Sequence, residues 1–586
     1  MALGIETRRA RLRERFAEWV PRALHERLDD CAGEYGNRPF VITDERTISY
    51  AETADWSRRL AAGLAALGVR PGDRVGMVMA NYLEFVPLKF AISRAGAVAI
   101  PFNYLYRRDE LGYVLAQSQC NVLITMTGFM GLDYLGLLDD IAPGWDKGGE
   151  LELAPLPDLR RVVLLSTDGR TRDGVDHVAD LASRGNSRGN EYPGAAAGGQ
   201  IRPEKVGDIL YTSGTTGSPK GVMVTHDAVQ RTGYASALTR AYEDGRRVLF
   251  SLPCYHMFGY VEGLMSVMFV GGAIIPQTTF SPVGYLQGVQ RHRATDILCV
   301  PTMAVAIIEH PDLKNYNLST LNAILCGSAP APVWIWEKFR DDLGISEIVT
   351  GYGMTECGGA MTLSLPEDPL ELSSSTVGRV KLAGSAGLAE ADAPGHGGDL
   401  CRYLTVDPLT GEPLPEGAEG ELASYGPTTM IGYWRKPDET AEVLSPGGLL
   451  RSGDLGLVGP DGYLRVTGRS KELYKSGGEL VMPREIEEML SAHEDVAQVF
   501  AIGLVDERWG EIGCAVVVRR AGATITEDDV IALCKASLAR FKVPKQVIFL
   551  EQDELPKTPT GKVQKYRLIP MAEQRLSESG LRRDAP

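Results

Sequence analysis

The residues best equipped for chemistry sit together between Ile209 and Val222. There an apolar run, Ile209-Leu-Tyr, gives way to a loop holding three glycines, five serine or threonine hydroxyls and one lysine, Lys220. Backbone N–H groups, hydroxyls and an ammonium on one loop can all be offered to phosphate oxygens. The spacing is not that of a Walker A loop, in which Ser or Thr follows the lysine, because here Gly221 follows Lys220. Metal-ligand patterns are missing: the nine cysteines are scattered from Cys31 to Cys534 with no CxxC, and the eight histidines form no HExxH. That distribution excludes a structural or catalytic zinc and reads as reduced core thiols in a cytoplasmic protein.

A phosphate loop must be aimed by rigid strands, and the flanking sequence provides them. Ser49-Tyr-Ala-Glu52 has the form of a capping box, opening a helix with apolar positions at Leu60, Leu64 and Leu67. The turn Gly68–Asp73 leads into the strand VGMVMA, then a helix to about Arg94 and the apolar run AVAIPF. Apolar strands separated by helices predict parallel crossovers and a large α/β body. Past residue 480 a short helix (Pro483–Ser491), strands (Val496–Gly503, Ile512–Arg519), a helix (Glu527–Ala539) and a last strand (Gln546–Leu550) predict a small α+β domain. Two stretches rich in small and polar residues, Arg184–Gln200 and Gly384–Gly398, read as surface insertions, and the tail from Ser577 as a frayed end.

The net charge of −15 argues against a nucleic-acid binder, which needs a concentrated basic face. Hydrophobic residues at 44% and charged residues at 23% suit a soluble globular protein. The longest apolar stretch, Gly263–Pro276, falls short of the ~20 residues a bilayer span needs. It predicts a buried helix and strand, and no transmembrane segment is expected. The charged N-terminus lacks the apolar core of a secretory signal.

The segment 209–222 resembles the signature phosphate loop of the adenylate-forming superfamily, which includes acyl-CoA synthetases, luciferases and peptide-synthetase adenylation domains. The family's other motifs follow in order. Gly351-Tyr-Gly-Met-Thr-Glu356 resembles the adenine and magnesium motif, and Ser452-Gly-Asp454 the ribose motif. Gly468-Arg-Ser-Lys-Glu472 with Ser476-Gly-Gly-Glu479 is similar to the hinge and its following loop, and Pro556–Lys562 to the terminal lysine loop. The resemblance spans roughly residues 30 to 570.

It implies a body over residues 1–468, a hinge at 469–471 and a mobile small domain over 472–586. It also implies ATP, Mg²⁺ and CoA as cofactors. Thr212, Ser213, Gly214, Thr215, Thr216, Gly217 and Lys220 would cradle the β- and γ-phosphates. Glu356 would carry Mg²⁺, Thr355 would bond the α-phosphate, and Tyr352, between Gly351 and Gly353, would stack on adenine. Gly327, Ser328, Ala329 and Pro330 would form the strand-end loop against the nucleotide. Asp454 would accept from the ribose hydroxyls with support from Arg469. Lys562 would bridge carboxylate and α-phosphate during adenylation, Lys471 would be the hinge, and Gly478 would line the pantetheine tunnel.

His256 resembles the histidine beside the acyl pocket, with Gly259, Tyr260 and Gly263 expected on the pocket wall. Between Cys254 and Tyr260 there is no carboxylate to pair with a substrate ammonium, the nearest being Glu262, so amino-acid substrates are disfavoured. The expectation is an ATP-dependent acyl-CoA ligase acting on a hydrophobic carboxylic acid. Its alternatives are an acyl-AMP ligase loading a carrier protein and a catalytically silent nucleotide-binding protein. A second copy of the chain, in a homodimer, is a candidate partner.

Overall fold

The computed structural model describes residues 3–187, 201–212, 218–329, 331–469, 472–476, 479–506, 510–557 and 563–578. The chain forms two compact units. The first is built from Met1–Gly214, Ser218–Tyr403 and Ser424–Leu450, the second from Thr215–Gly217, Leu404–Ala423 and Arg451–Pro586. The expected α/β body and smaller α+β part are both present.

In the first unit, a seven-stranded sheet runs in the order Glu347–Val349, Ala323–Cys326, Asp296–Cys299, Arg247–Phe250, Ala273–Pro276, Pro39–Ile42, Thr47–Ser49. Every neighbouring pair is parallel except the last. Its strands are continuous apolar runs such as Ile297-Leu298 and Ile324-Leu325, as expected where both faces are covered. An eight-stranded sheet holds Arg74–Val78, Val98–Phe102 and Val122–Met126 in parallel, with Val206–Thr212 beside them. Lys220–Thr225 then pairs antiparallel with Val206–Thr212, and Gly432–Tyr433 pairs antiparallel with Lys220–Thr225. The helix at Tyr50–Ala66 carries the expected capping box, Ser49 Oγ accepting from the Glu52 N–H and Glu52 accepting from the Ser49 N–H.

Residues 384–398 are not a loose insertion. The Ala383 and Gly384 N–H groups both donate to the Gly398 carbonyl, which closes the segment at its base. Arg231 donates to the Ala386 carbonyl at 2.7 Å, and Ala386 and Ala393 are buried. Of the other predicted insertion, 188–200 lies outside the described residues, as do 579–586 of the predicted frayed tail.

In the second unit, one sheet joins Arg402–Val406, Gly420–Tyr425, Leu450–Val458 and Leu464–Arg469. Another joins Glu479–Val481, Tyr474–Ser476, Gly510–Arg519 and Val496–Asp506, with Gln546–Phe549 added parallel to Gly510–Arg519. The helices Pro483–Ser491 and Glu527–Ser537 match the sequence reading, the second ending two residues early. The helix Lys565–Glu578 was not expected. Its Leu568, Ala572 and Leu576 pack on Ile502, Leu504, Cys514 and Val516. No helix among the described residues is long and apolar enough to cross a membrane.

Candidate active site

In the first unit the phosphate-loop strand ends at Thr212, directly opposite Lys220 in the antiparallel register. Ser213, Gly214, Thr215, Thr216 and Gly217, between them, lie outside the described residues. The Lys220 ammonium sits 4.9 Å from the centre of the Tyr433 ring. The Tyr433 hydroxyl donates to Glu356 Oε1 at 2.9 Å, and the Met430 N–H donates to the Glu356 backbone carbonyl at 2.8 Å. Burial and then Glu356 push the Tyr433 hydroxyl pKa well up, so it stays a donor. One tyrosine thus touches the lysine of one motif and the carboxylate of another, separated by more than a hundred residues. Tyr433 carried no signal in the sequence beyond being an aromatic residue on a two-residue edge strand.

Thr355 and Glu356 form a 3₁₀ turn just past the strand Gly351–Met354, and each is only 8% exposed. Gly351, Tyr352 and Gly353 lie along that strand, paired with Gly359–Leu363, and the Tyr352 ring centroid is 6.4 Å from that of Tyr403. Gly327 ends the strand Ala323–Cys326, its N–H donating to the Cys299 carbonyl at 3.2 Å. Ser328, exposed beside it, has φ +72°, a left-handed conformation that costs a non-glycine residue energy and recurs at ligand sites. Ala329 is exposed; Pro330 is outside the described residues.

His256 accepts a hydrogen bond at Nδ1 from the Phe258 N–H at 3.2 Å. Burial lowers its pKa to about 4, so the ring is neutral at pH 7 with its proton on Nε2. The following segment, Phe258–Met265, is a π-helix rather than an α-helix. Its wider turn sets Tyr260 and Gly263, three residues apart, on different faces. Tyr260 turns to the eight-stranded sheet, where its hydroxyl donates to Asp208 Oδ2 at 3.0 Å; Lys89 donates to Asp208 Oδ1. All three side chains are buried, at 0%, 0% and 1% exposure for Tyr260, Asp208 and Lys89, so Tyr260 is a tied core residue and not an apolar pocket wall. Gly263 turns to the seven-stranded sheet, where an added Cβ would lie 2.6 Å from Cε1 of Phe250. The room beside Gly263 is therefore filled by Phe250. At Gly259 a Cβ would meet the Leu252 and Pro253 carbonyls at 2.5 and 2.6 Å, so close backbone approach explains that glycine too. Glu262, the nearest carboxylate, is occupied: Lys381 Nζ donates to its Oε1 at 2.6 Å.

In the second unit, Asp454 and Arg469 are register partners on neighbouring strands, and Arg469 Nε lies 2.9 Å from Asp454 Oδ1. Lys471, Gly478 and Lys562 lie outside the described residues.

Residues 28–434 match the family model described as AMP-binding enzyme, and residues 485–562 the model of the AMP-binding enzyme C-terminal domain. This chain belongs to the AMP-binding enzymes. It is a member of the adenylate-forming superfamily, of the acyl-CoA synthetase type. The Bacillus subtilis protein YngI is 32% identical over 569 residues, covering 94% of this chain and 97% of its own length. A Mycobacterium tuberculosis enzyme named as a methyl-dioxo-octahydro-indenyl propanoyl:CoA ligase is 32% identical over 541 residues, covering 92% of this chain and 97% of its own. Among solved structures, ATP-bound MatB from Rhodopseudomonas palustris superposes with a TM-score of 0.77 at 28% identity, covering 93% of this chain and 98% of that one.

Proposed function

We propose that this AMP-binding enzyme is an ATP-dependent acyl-CoA ligase that adenylates a hydrophobic carboxylic acid, releasing pyrophosphate, and passes the acyl group to CoA. The observation that carries the reading is the convergence of Lys220 and Glu356 on Tyr433. The reaction moves negative charge from the attacking carboxylate through the α-phosphate onto the β- and γ-phosphates as they leave as pyrophosphate, and a fixed cation with a carboxylate-held metal is what that shift requires. Glu356 fits Mg²⁺: it offers hard oxygen donors, and Tyr433 fixes the position of one of them. Bound there, Mg²⁺ would neutralise phosphate charge.

Thr212 and Lys220 hold the phosphates in this reading, together with Ser213, Gly214, Thr215, Thr216 and Gly217. Thr355 holds the α-phosphate, and Tyr352 with the Gly327–Pro330 loop holds the adenine. Asp454, with one oxygen fixed by Arg469, takes the ribose hydroxyls. Lys562 neutralises the carboxylate and α-phosphate as they join, a stabilisation larger in the transition state than in the ground state. The hinge is 469–471, with Lys471 at its end, and Gly478 borders the thiol's path. With Tyr260 and Gly263 engaged in packing, we place the acid's carbon skeleton beside His256 and Phe258, where a Cβ on Gly327 would approach the Phe258 ring to 3.7 Å. The nine cysteines, all buried, support a reducing cytoplasmic compartment.

The test is pyrophosphate release and thioester formation over a panel of fatty, aryl and polycyclic acids, with and without CoA. An acid that yields both pyrophosphate and its CoA thioester supports the reading. Acyl-AMP that is never discharged by CoA would shift it to carrier-protein loading, and nucleotide binding without turnover would reject it.

A further inference from the structure

The second unit holds an ion cluster that none of the roles above uses. Lys565, the first residue of its last helix, places Nζ 2.6 Å from Glu472 Oε2 and 2.7 Å from Glu487 Oε1. The three side chains are 17%, 28% and 17% exposed, so the cluster is largely shielded from water. Glu487 Oε1 also accepts from the Ala501 N–H at 2.7 Å, which anchors it to the strand Val496–Asp506. Burial acts against the Lys565 charge, but Glu487 and Glu472 outweigh it and hold its pKa above the ordinary value.

The placement of this cluster along the chain is what gives it a role. Glu472 is the first residue after Lys471, the end of the proposed hinge. Lys565 lies three residues past Lys562. Between them the lysine loop is closed at its base by an antiparallel bridge between Lys557 and Val563 and by the Gln564 N–H donating to the Pro556 carbonyl at 2.8 Å. The helix that follows is seated by buried Leu568, Ala572 and Leu576.

We propose that Lys565 is a positioning residue that ties the residue leaving the hinge to the base of the Lys562 loop, so that hinge exit and loop travel as one piece. The inference rests on the reading of Lys562 as the adenylation lysine. A cation that must meet a developing charge within a fraction of an ångström gains from a base that cannot drift, and a displacement of about 1 Å costs on the order of 10²-fold in rate. A bidentate lysine between two carboxylates from different elements supplies that fixed base.

The experiment compares the two half-reactions in full-length protein. Adenylation is read as single-turnover pyrophosphate release, and thioester formation from supplied acyl-AMP plus CoA. Lys565→Met should slow adenylation about 10- to 100-fold while thioester formation stays within about threefold, and Lys565→Arg should restore most of the loss. Glu472→Gln, which leaves the Lys565–Glu487 pair in place to support folding, should show the same one-sided loss to a smaller degree. The proposal is overturned if both half-reactions fall together in Glu472→Gln, or if adenylation is unchanged in it. Lys562→Ala measured alongside separates the two claims. Full-rate adenylation in Lys562→Ala removes the reading of Lys562, whereas slowed adenylation there with a normal Glu472→Gln removes only the tie.

Discussion

Two lysine–carboxylate clusters, one in each unit, have similar parts and opposite surroundings. Lys89, Asp208 and Tyr260 are sealed in the first unit at 0–1% exposure. Lys565, Glu472 and Glu487 are shielded but still reached by solvent, at 17–28%. The dry cluster joins the strand that ends at Thr212 to the π-helix that follows His256. It holds that strand and the π-helix at a fixed separation, and its charges have no water to fall back on. The wetter cluster joins Glu472 and the helix Pro483–Ser491 to the start of the helix Lys565–Glu578. Water still reaches its members, so the loss of one contact there is partly offset by hydration. Burial therefore decides how much the loss of one partner costs each cluster.

The sharpest way to break that comparison is to remove one charge from the dry cluster. Asp208→Asn leaves the Lys89 ammonium buried without a counter-charge and should cost about 3–5 kcal/mol of stability, read as a fall in the unfolding midpoint. Replacing both residues by apolar ones, Lys89→Met with Asp208→Leu, should recover most of it. A cost below ~1 kcal/mol for Asp208→Asn would show the cluster to be far wetter than its burial indicates.

The π-helix offers the next test. Gly263→Ala puts a methyl 2.6 Å from the Phe250 ring and should cost about 1–3 kcal/mol by overpacking. Phe250→Leu in the same chain should relieve it. If Gly263→Ala is instead neutral for stability and shortens the range of acids accepted, the acid does run past Gly263 and the packing account is wrong.

Acid sensitivity should belong to the first unit. Burial lowers the pKa of His25 to about 3, with Arg94 adding to the effect, and lowers that of His226 to about 4. An unfolded histidine titrates near 6.5. Between that value and the folded ones, the unfolded chain binds protons that the folded chain does not. The stability these residues contribute is therefore complete above about pH 6.5 and is lost as pH falls from there, toward about 4 for His226 and about 3 for His25. Denaturant midpoints at pH 7.5 and pH 5 should differ, and His25→Gln with His226→Gln should narrow the gap. An unchanged gap would place the acid response elsewhere.

The motif residues were readable because each motif carries its own punctuation. Glycines and hydroxyls mark the 212–220 segment, and Asp454 and Arg469 stand in short motifs of their own, Ser452-Gly-Asp454 and Gly468-Arg469. Lys89, Asp208 and Tyr260 were not readable as a group, since nothing local ties residues 119 and 52 positions apart. Nothing local announces the π-helix at Phe258–Met265, whose wider turn sends Tyr260 to Asp208 and Gly263 to Phe250 instead of to one wall. The helix Lys565–Glu578 was hidden by Pro570 within it and by its many charges. Residues 384–398 have the composition of a loop, yet backbone hydrogen bonds to Gly398 close them into a packed segment.

The central claim is that the acid is activated as its adenylate before the thiol attacks. It is tested most directly by turning over an acid labelled with ¹⁸O in both carboxylate oxygens, with ATP and CoA, and weighing the nucleotide product. Attack of a carboxylate oxygen on the α-phosphate, followed by cleavage of the acyl C–O bond by the thiol, leaves one labelled oxygen on AMP and one in the thioester carbonyl. Unlabelled AMP, or label appearing in inorganic phosphate alongside ADP, would contradict the account.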